Sequence, residues 1–158
     1  MRGLMSEHGT NPDHFLKYVH DIDLSPVGAN PELEQALSRL PGRKIVFTNG
    51  SVEHADNVMN KLGVCHHFEA VFDIVASDYR PKPERLAYDK LVKEHDICAP
   101  ASVMVEDMAR NLKPAHKMGM TCVWIRTKTK SGAESSNEEH VHHIVDDLTA
   151  WLCDLTGK

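Results

Sequence analysis

Short apolar runs rich in β-branched and aromatic residues recur along this 158-residue chain, at Lys44–Phe47, Val71–Val75, Ser102–Val105 and Thr121–Ile125. Between them lie stretches of about ten residues with helical periodicity. This alternation is the strongest constraint on the fold. Strands separated by helices pair in parallel, because a parallel pair needs a crossover long enough to hold a helix. The prediction is an α/β protein: a Rossmann-like, mostly parallel sheet with helices on both faces. In open sheets of this kind ligands bind beyond the C-terminal ends of the strands, so those ends are where chemistry is expected.

The helices are marked by their caps. Asn11-Pro12 and Asn30-Pro31 each pair an N-cap residue with proline at the first helical position. After the first, Phe15, Tyr18, Val19 and Ile22 recur at helical spacing and predict one amphipathic helix. After the second, Leu33, Leu37 and Leu40 do the same until Pro41-Gly42 ends the helix. Ala55, Val58, Met59 and Leu62 mark a third helix closed by Gly63, and Tyr88, Leu91, Val92 and His95 a fourth. Ala109–Met118 is a fifth, with Leu112 and Ala115 inward. Lys128–Glu139 reads as a polar loop, and the last helix is predicted to bury Leu148, Trp151, Leu152 and Leu155. Trp124 and Trp151 both read as core.

Composition narrows the function classes. With 41% hydrophobic and 26% charged residues the chain has the balance of one soluble globular domain. A chain of this length buries roughly 68–70% of the surface that its unfolded form exposes, so it needs no disulfide or metal to fold. A net charge of −5 without a Lys/Arg-rich run argues against nucleic acid as a partner. No stretch approaches the roughly 18 apolar residues of a membrane helix, and Met1–Glu7 lacks the apolar core of a secretory signal, which predicts a cytoplasmic protein with no membrane partner. The four cysteines, Cys65, Cys98, Cys122 and Cys153, form no CxxC pair and read as reduced, mostly packing residues. Among eleven histidines, His140, His142 and His143 and the His66-His67 pair invite a metal reading. No matching Cys or carboxylate pattern lies nearby in the sequence, so these are read as surface or loop histidines.

Three segments at strand ends carry chemistry. Thr48-Asn49-Gly50 places a hydroxyl and backbone N–H groups at a helix start, where orphan donors and the helix dipole favour an anion such as phosphate; the same threonine also reads as a simple cap. In Arg80-Pro81-Lys82-Pro83 the prolines enforce an extended, stiff loop, so Lys82 either neutralises a phosphoryl oxygen as a fixed charge or is an exposed loop lysine. Glu106-Asp107, with Asn111 following, offers the hard oxygen ligands suited to Mg²⁺, or else an acidic cap for the next helix. The doubly wound topology predicts that Thr48, Lys82 and the Glu106-Asp107 pair converge at one end of the sheet.

In this order the segments resemble the haloacid dehalogenase (HAD)-like phosphohydrolases. Val46-Phe47-Thr48-Asn49-Gly50 is similar to that family's second motif, Arg80-Pro81-Lys82-Pro83 to its third, and Val105-Glu106-Asp107-Met108-Ala109-Arg110-Asn111-Leu112 to its fourth. Tyr18-Val19-His20-Asp21-Ile22-Asp23 and His140-Val141-His142-His143 resemble the bacterial pyrimidine 5′-nucleotidase branch. The resemblance implies Mg²⁺-dependent hydrolysis of a phosphate monoester, with a pyrimidine nucleoside 5′-monophosphate as the small-molecule partner. It implies that Thr48, Asn49 and Gly50 bind the phosphoryl oxygens and that Lys82 steadies the charge. Asp107 would hold Mg²⁺, with Glu106 and Asn111 assisting. Glu106 stands where the branch usually has a shorter acid, and Met108 where serine is common.

The family's first motif, an apolar strand ending in DxDx(T/V) that supplies an aspartate nucleophile, has no counterpart read from this sequence. The DxD at Asp21-Ile22-Asp23 continues the period of Phe15, Tyr18 and Val19 from a proper Asn-Pro cap, so Asp21 is expected at a helix end. The chain is accordingly expected to be truncated: residues 1–25 as the remnant of a helical cap, and 26–158 as the α/β core lacking the nucleophile strand. Such a chain is expected to be weakly active or inactive, with sheet edges left unpaired. The alternative class is a non-catalytic phosphate- or nucleotide-binding module. A dinucleotide-binding oxidoreductase is set aside, since no GxGxxG joins a strand to a helix.

Overall fold

The structure, a computed structural model, describes residue 9, residues 11–127 and residues 139–157. The chain folds as two compact units, residues 1–81 and residues 82–158. The described residues form six α-helices and five strands, and every strand pairing is parallel. The expected α/β class with parallel sheets holds, and the strands divide between a two-stranded and a three-stranded sheet.

In the first unit, α1 (Pro12–His20) and α2 (Pro31–Arg39) begin at the predicted Asn-Pro pairs. Asn11 Oδ1 accepts the His14 amide at 3.2 Å, and Asn30 Oδ1 accepts that of Leu33 at 3.0 Å. Each bond satisfies one of the donors that a helix start leaves without a partner. β1 (Ile45–Phe47) leads to α3 (Val52–Leu62), which Gly63 closes in the left-handed conformation at φ 78°. A 3₁₀ turn at Cys65–His67 and β2 (Ala70–Phe72) follow. Ile45, Val46 and Phe47 stand opposite Ala70, Val71 and Phe72, and the Phe47 and Phe72 rings meet edge-on at 5.6 Å.

In the second unit, α4 (Arg85–Glu94) precedes β3 (Val103–Glu106), α5 (Ala109–Lys117), β4 (Thr121–Ile125), β5 (His143–Val145) and α6 (Leu148–Thr156). β4 is the central strand of the order β3-β4-β5. Helix α5 packs against β3 and β4 through Leu112 and Ala115, both with no solvent exposure, and α4 packs on α5. Cys122 of β4 is buried with its Sγ 3.6 Å from the Leu112 carbonyl, and its neighbour Val123 is buried as well; burial pushes the Cys122 thiol up to about 11, which makes it a packing residue rather than a nucleophile. None of the helices among the described residues is long and apolar enough to cross a membrane.

Several expectations are corrected. The apolar period of α1 is not the side that is covered: Tyr18 is 82% exposed, as is Ile22 beyond the helix end at 54%, whereas Leu16 is buried. Apolar periodicity marks a face but not what covers it. The second strand stops at Phe72 instead of Val75, because the Asp73 carboxylate accepts the amides of Val52 and Ala76 and turns the chain into residues 74–79. Strand β5 was not foreseen; it is three residues long and exposes His143 and Ile144, too short for an alternation to register. Leu155 is 58% exposed and Trp151 only half-buried, while Trp124 is core as expected. Cys98 is exposed rather than packed. His140 lies in a turn, as a loop histidine, but is buried there, and its Nε2–H donates to the Ala109 carbonyl at 2.7 Å. The predicted polar loop lies outside the described residues except at Glu139.

Leu112→Ala is expected to cost about 2–5 kcal/mol, since it opens a cavity where the site can collapse least. Leu155→Ala, in contrast to the sequence expectation, should stay within about 0.5 kcal/mol of the parent. Urea unfolding of the two variants checks both values.

Candidate active site

The Thr48 segment leaves β1 at its C-terminal end. Its backbone stays tied to β2, through the Thr48 amide on the Phe72 carbonyl at 3.0 Å and the Ile74 amide on the Gly50 carbonyl at 3.2 Å. The Thr48 hydroxyl oxygen accepts the Gly50 amide at 2.9 Å, which folds the segment into a tight turn. Ser51, not Thr48, caps α3: its Oγ accepts the His54 amide at 3.3 Å. Asn49 is exposed at the tip. A Cβ added to Gly50 would stand 3.2 Å from His20 Nε2 and 3.3 Å from Thr48 Oγ1, so glycine is kept here for close approach.

His20, at the end of α1, is a neighbour that sequence reasoning missed. Its Nδ1 lies 3.1 Å from Ser51 Oγ, and its ring stacks on His54 at 4.4 Å with planes 10° apart. Burial, then the adjacent His54, holds its pKa below the ordinary histidine value. Asp73 was also missed; its carboxylate reaches the first amide of α3 at Val52. Neither had a signal in the sequence, since each is brought to the segment only by folding.

The other predicted residues meet in the second unit. Lys82 does not sit in solvent: its side chain is 9% exposed, and its Nζ donates to Glu106 Oε2 at 2.5 Å, with the Glu106 side chain 6% exposed. Glu106 ends β3, and its Oε1 accepts the Met108 amide at 3.3 Å. Asp107 and Asn111 neighbour Glu106 and act on its charge. Burial raises the Glu106 pKa above the usual carboxylate range, and the Lys82 ammonium opposes that rise. Asp107 is exposed, and its carbonyl accepts the Trp124 indole N–H at 3.0 Å. Asn111 is buried; its carbonyl accepts the Tyr88 hydroxyl at 2.6 Å, and its Oδ1 has no hydrogen-bond partner among the described residues.

The structure thus brings Lys82, Glu106, Asp107 and Asn111 together, and separately Thr48, Asn49 and Gly50. An exposed carboxylate beside a buried amide oxygen with no donor is a hard-oxygen set, and it fits Mg²⁺ in its donor chemistry. Glu106 differs from the expected metal ligand in that both its oxygens are already engaged, one by Lys82 and one by the chain turning into α5. A neighbouring cleft lined by Pro83, Arg85, Arg110, Lys113, Pro114 and Lys117 contains none of these residues.

Lys82→Met should destabilise the protein by about 3–5 kcal/mol, because it leaves a buried carboxylate without its cation. Lys82→Met with Glu106→Gln should recover at least about 1 kcal/mol of that loss in a double-mutant cycle. In Lys82→Met the deficit should shrink as pH falls, since protonation removes the stranded charge. His20 has the opposite sign. Its folded pKa is lowered, so the unfolded chain takes up protons first and the stability attributable to His20 falls as pH drops from about 6.5. Melting temperatures across that range should therefore decline less steeply for His20→Gln than for the parent.

A sequence profile of haloacid dehalogenase-like hydrolases matches residues 6–125. A search of curated proteins returns no match. Among solved structures, an L-2-haloacid dehalogenase aligns with 98% of this chain and 69% of its own, at 16% identity and a TM-score of 0.63. A HAD phosphatase from Thermococcus onnurineus aligns over 98% of this chain and 68% of its own, at 16% identity and a TM-score of 0.62. A HAD hydrolase from Bacillus subtilis, described as bound to magnesium, covers the same shares at 12% identity with a TM-score of 0.64. At these identities the likeness to solved structures is one of fold, while the profile match spans most of the chain. The chain belongs to the haloacid dehalogenase-like hydrolase family.

Proposed function

We propose that this protein is a Mg²⁺-dependent phosphate monoester hydrolase acting on pyrimidine nucleoside 5′-monophosphates. The observation that carries the reading is the buried Lys82–Glu106 pair beside Asp107 and the orphaned Asn111 Oδ1. A lysine buried against a carboxylate is costly, and that cost is easier to understand where the cation serves an anionic ligand. Lys82 holds a fixed positive charge for a phosphoryl oxygen, and Glu106 fixes its position. The Thr48 hydroxyl and the Asn49 amide are the uncharged donors offered to phosphoryl oxygens, and the Gly50 turn holds them in place. Asp107 and Asn111 would hold Mg²⁺, which would neutralise phosphoryl charge when bound, while Glu106 serves through Lys82.

A second reading, a phosphate- or nucleotide-binding module without turnover, is favoured by one observation. Asp21 and Asp23 follow helix α1 rather than a strand, and Asp23 is occupied in accepting the Ser25 amide at 2.8 Å and hydroxyl at 2.7 Å. This is the geometry of a helix-end turn, not of a carboxylate aimed from a strand at a substrate.

Phosphate release from UMP and from an aryl phosphate, with and without Mg²⁺, separates the two readings. The hydrolase reading expects Mg²⁺-dependent release that falls by about 10²-fold or more in Lys82→Ala, the scale of one electrostatic group aimed at developing charge. Halide release from a 2-haloacid without phosphate release would overturn it in favour of dehalogenation. UMP binding weakened in Lys82→Ala, with no release by the parent, would establish the binding module. Asp21→Asn should leave the outcome unchanged.

A further inference from the structure

We infer that Glu34, His66 and His67 form a site for a divalent first-row transition ion, with Zn²⁺ the best match, distinct in its residues and in its chemistry from the oxygen donors proposed for Mg²⁺. Glu34 lies in the first turn of α2, and the two histidines lie in the 3₁₀ turn after α3. His67 Nε2 stands 3.1 Å and His66 Nε2 3.4 Å from the same oxygen, Glu34 Oε1, and all three donor atoms lie within 4.8 Å of one another. Ligands held tetrahedrally at the usual Zn–N and Zn–O distances of about 2.0–2.2 Å are separated by edges of about 3.3 Å. Both edges to the carboxylate oxygen are already close to that length. Two imidazoles and one carboxylate suit Zn²⁺, Co²⁺, Ni²⁺ or Cu²⁺ and not Mg²⁺, and water completes the fourth position.

The frame around these donors is already fixed. The Asn30 amide donates to the Leu62 carbonyl at 3.0 Å, which ties the start of α2 to the end of α3. The His67 amide donates to the Val64 carbonyl at 3.1 Å and the Phe68 amide to the Cys65 carbonyl at 3.2 Å, closing the turn that carries both rings. The two rings lie 4.0 Å apart, and the His67 side chain is only 11% exposed, so His67 has little freedom left to lose on binding. Without metal, His67 Nε2–H donates to Glu34. Metal binding replaces that shared proton: the His67 ring then carries its hydrogen on Nδ1, both Nε2 lone pairs face the ion, and a proton is released when a ring begins as the cation. The bound ion clips α2 to the turn beyond α3, and by mass action it raises the melting temperature.

The test uses the full chain, freed of metal by chelation, and Zn²⁺ alone as the probe. Calorimetric titration in a constant large excess of Mg²⁺ should show one equivalent of Zn²⁺ bound, with a rise in melting temperature above that of the chain in the same Mg²⁺ alone. Co²⁺ in its place should show the strong visible absorption of a four-coordinate site. His66→Ala and Glu34→Gln should each weaken Zn²⁺ binding at least about tenfold. His66 is 64% exposed, so its loss leaves packing intact. His143→Ala, at an exposed histidine elsewhere, should leave binding unchanged. Binding that survives both Glu34→Gln and His66→Ala, or no saturable binding by the parent, would overturn the assignment. None of these readouts depends on phosphatase activity, so the site and the proposed function fail or stand independently.

Discussion

Burying a lysine and a glutamate against each other is among the more expensive arrangements a small protein can keep. Neither Lys82 nor Glu106 has water to fall back on, so each is tolerable only while the other is in place. The order of the second unit follows from meeting that condition. The Lys82 backbone comes from a proline-flanked loop, Glu106 from the end of β3, and the Met108 amide from the turn into α5. Loop, strand and helix start are therefore fastened at one carboxylate. Asp107 and Asn111 sit on that fastened turn, one facing solvent and the other buried, and inherit its rigidity.

Much of this was legible in the sequence because it is encoded locally. The prolines around Lys82 restrict its loop whatever the rest of the chain does, and an apolar run followed at once by Glu106-Asp107 fixes which end of a strand the acids occupy. The caps at Asn11 and Asn30, and Gly63 after α3, act within one helical turn and were read correctly for the same reason. Family membership followed from three such local segments taken in order.

What was not legible depends on distance along the chain. His20 approaches Gly50 and Ser51, and Glu34 approaches His66 and His67, only after folding; spacing rules for metal ligands look for neighbours in sequence and pass over such a triad. Burial fared worse than secondary structure. Tyr18 and Leu155 lie on helices at apolar positions yet face solvent, because amphipathicity records a preference that only a packing partner can satisfy. The early end of β2 has a different cause: a single Asp73 carboxylate competes with the ladder for amides and wins.

The bond from the Trp124 indole to the Asp107 carbonyl also gives the protein an intrinsic optical reporter. The chain has two tryptophans, and Trp124 is the buried one, 5% exposed and hydrogen-bonded to the backbone of the acidic turn. Indole emission responds to the field at its N–H. Any ion or ligand that draws charge toward Asp107 will therefore shift the fluorescence of the native chain, so occupancy of the turn is readable without a label or a substrate.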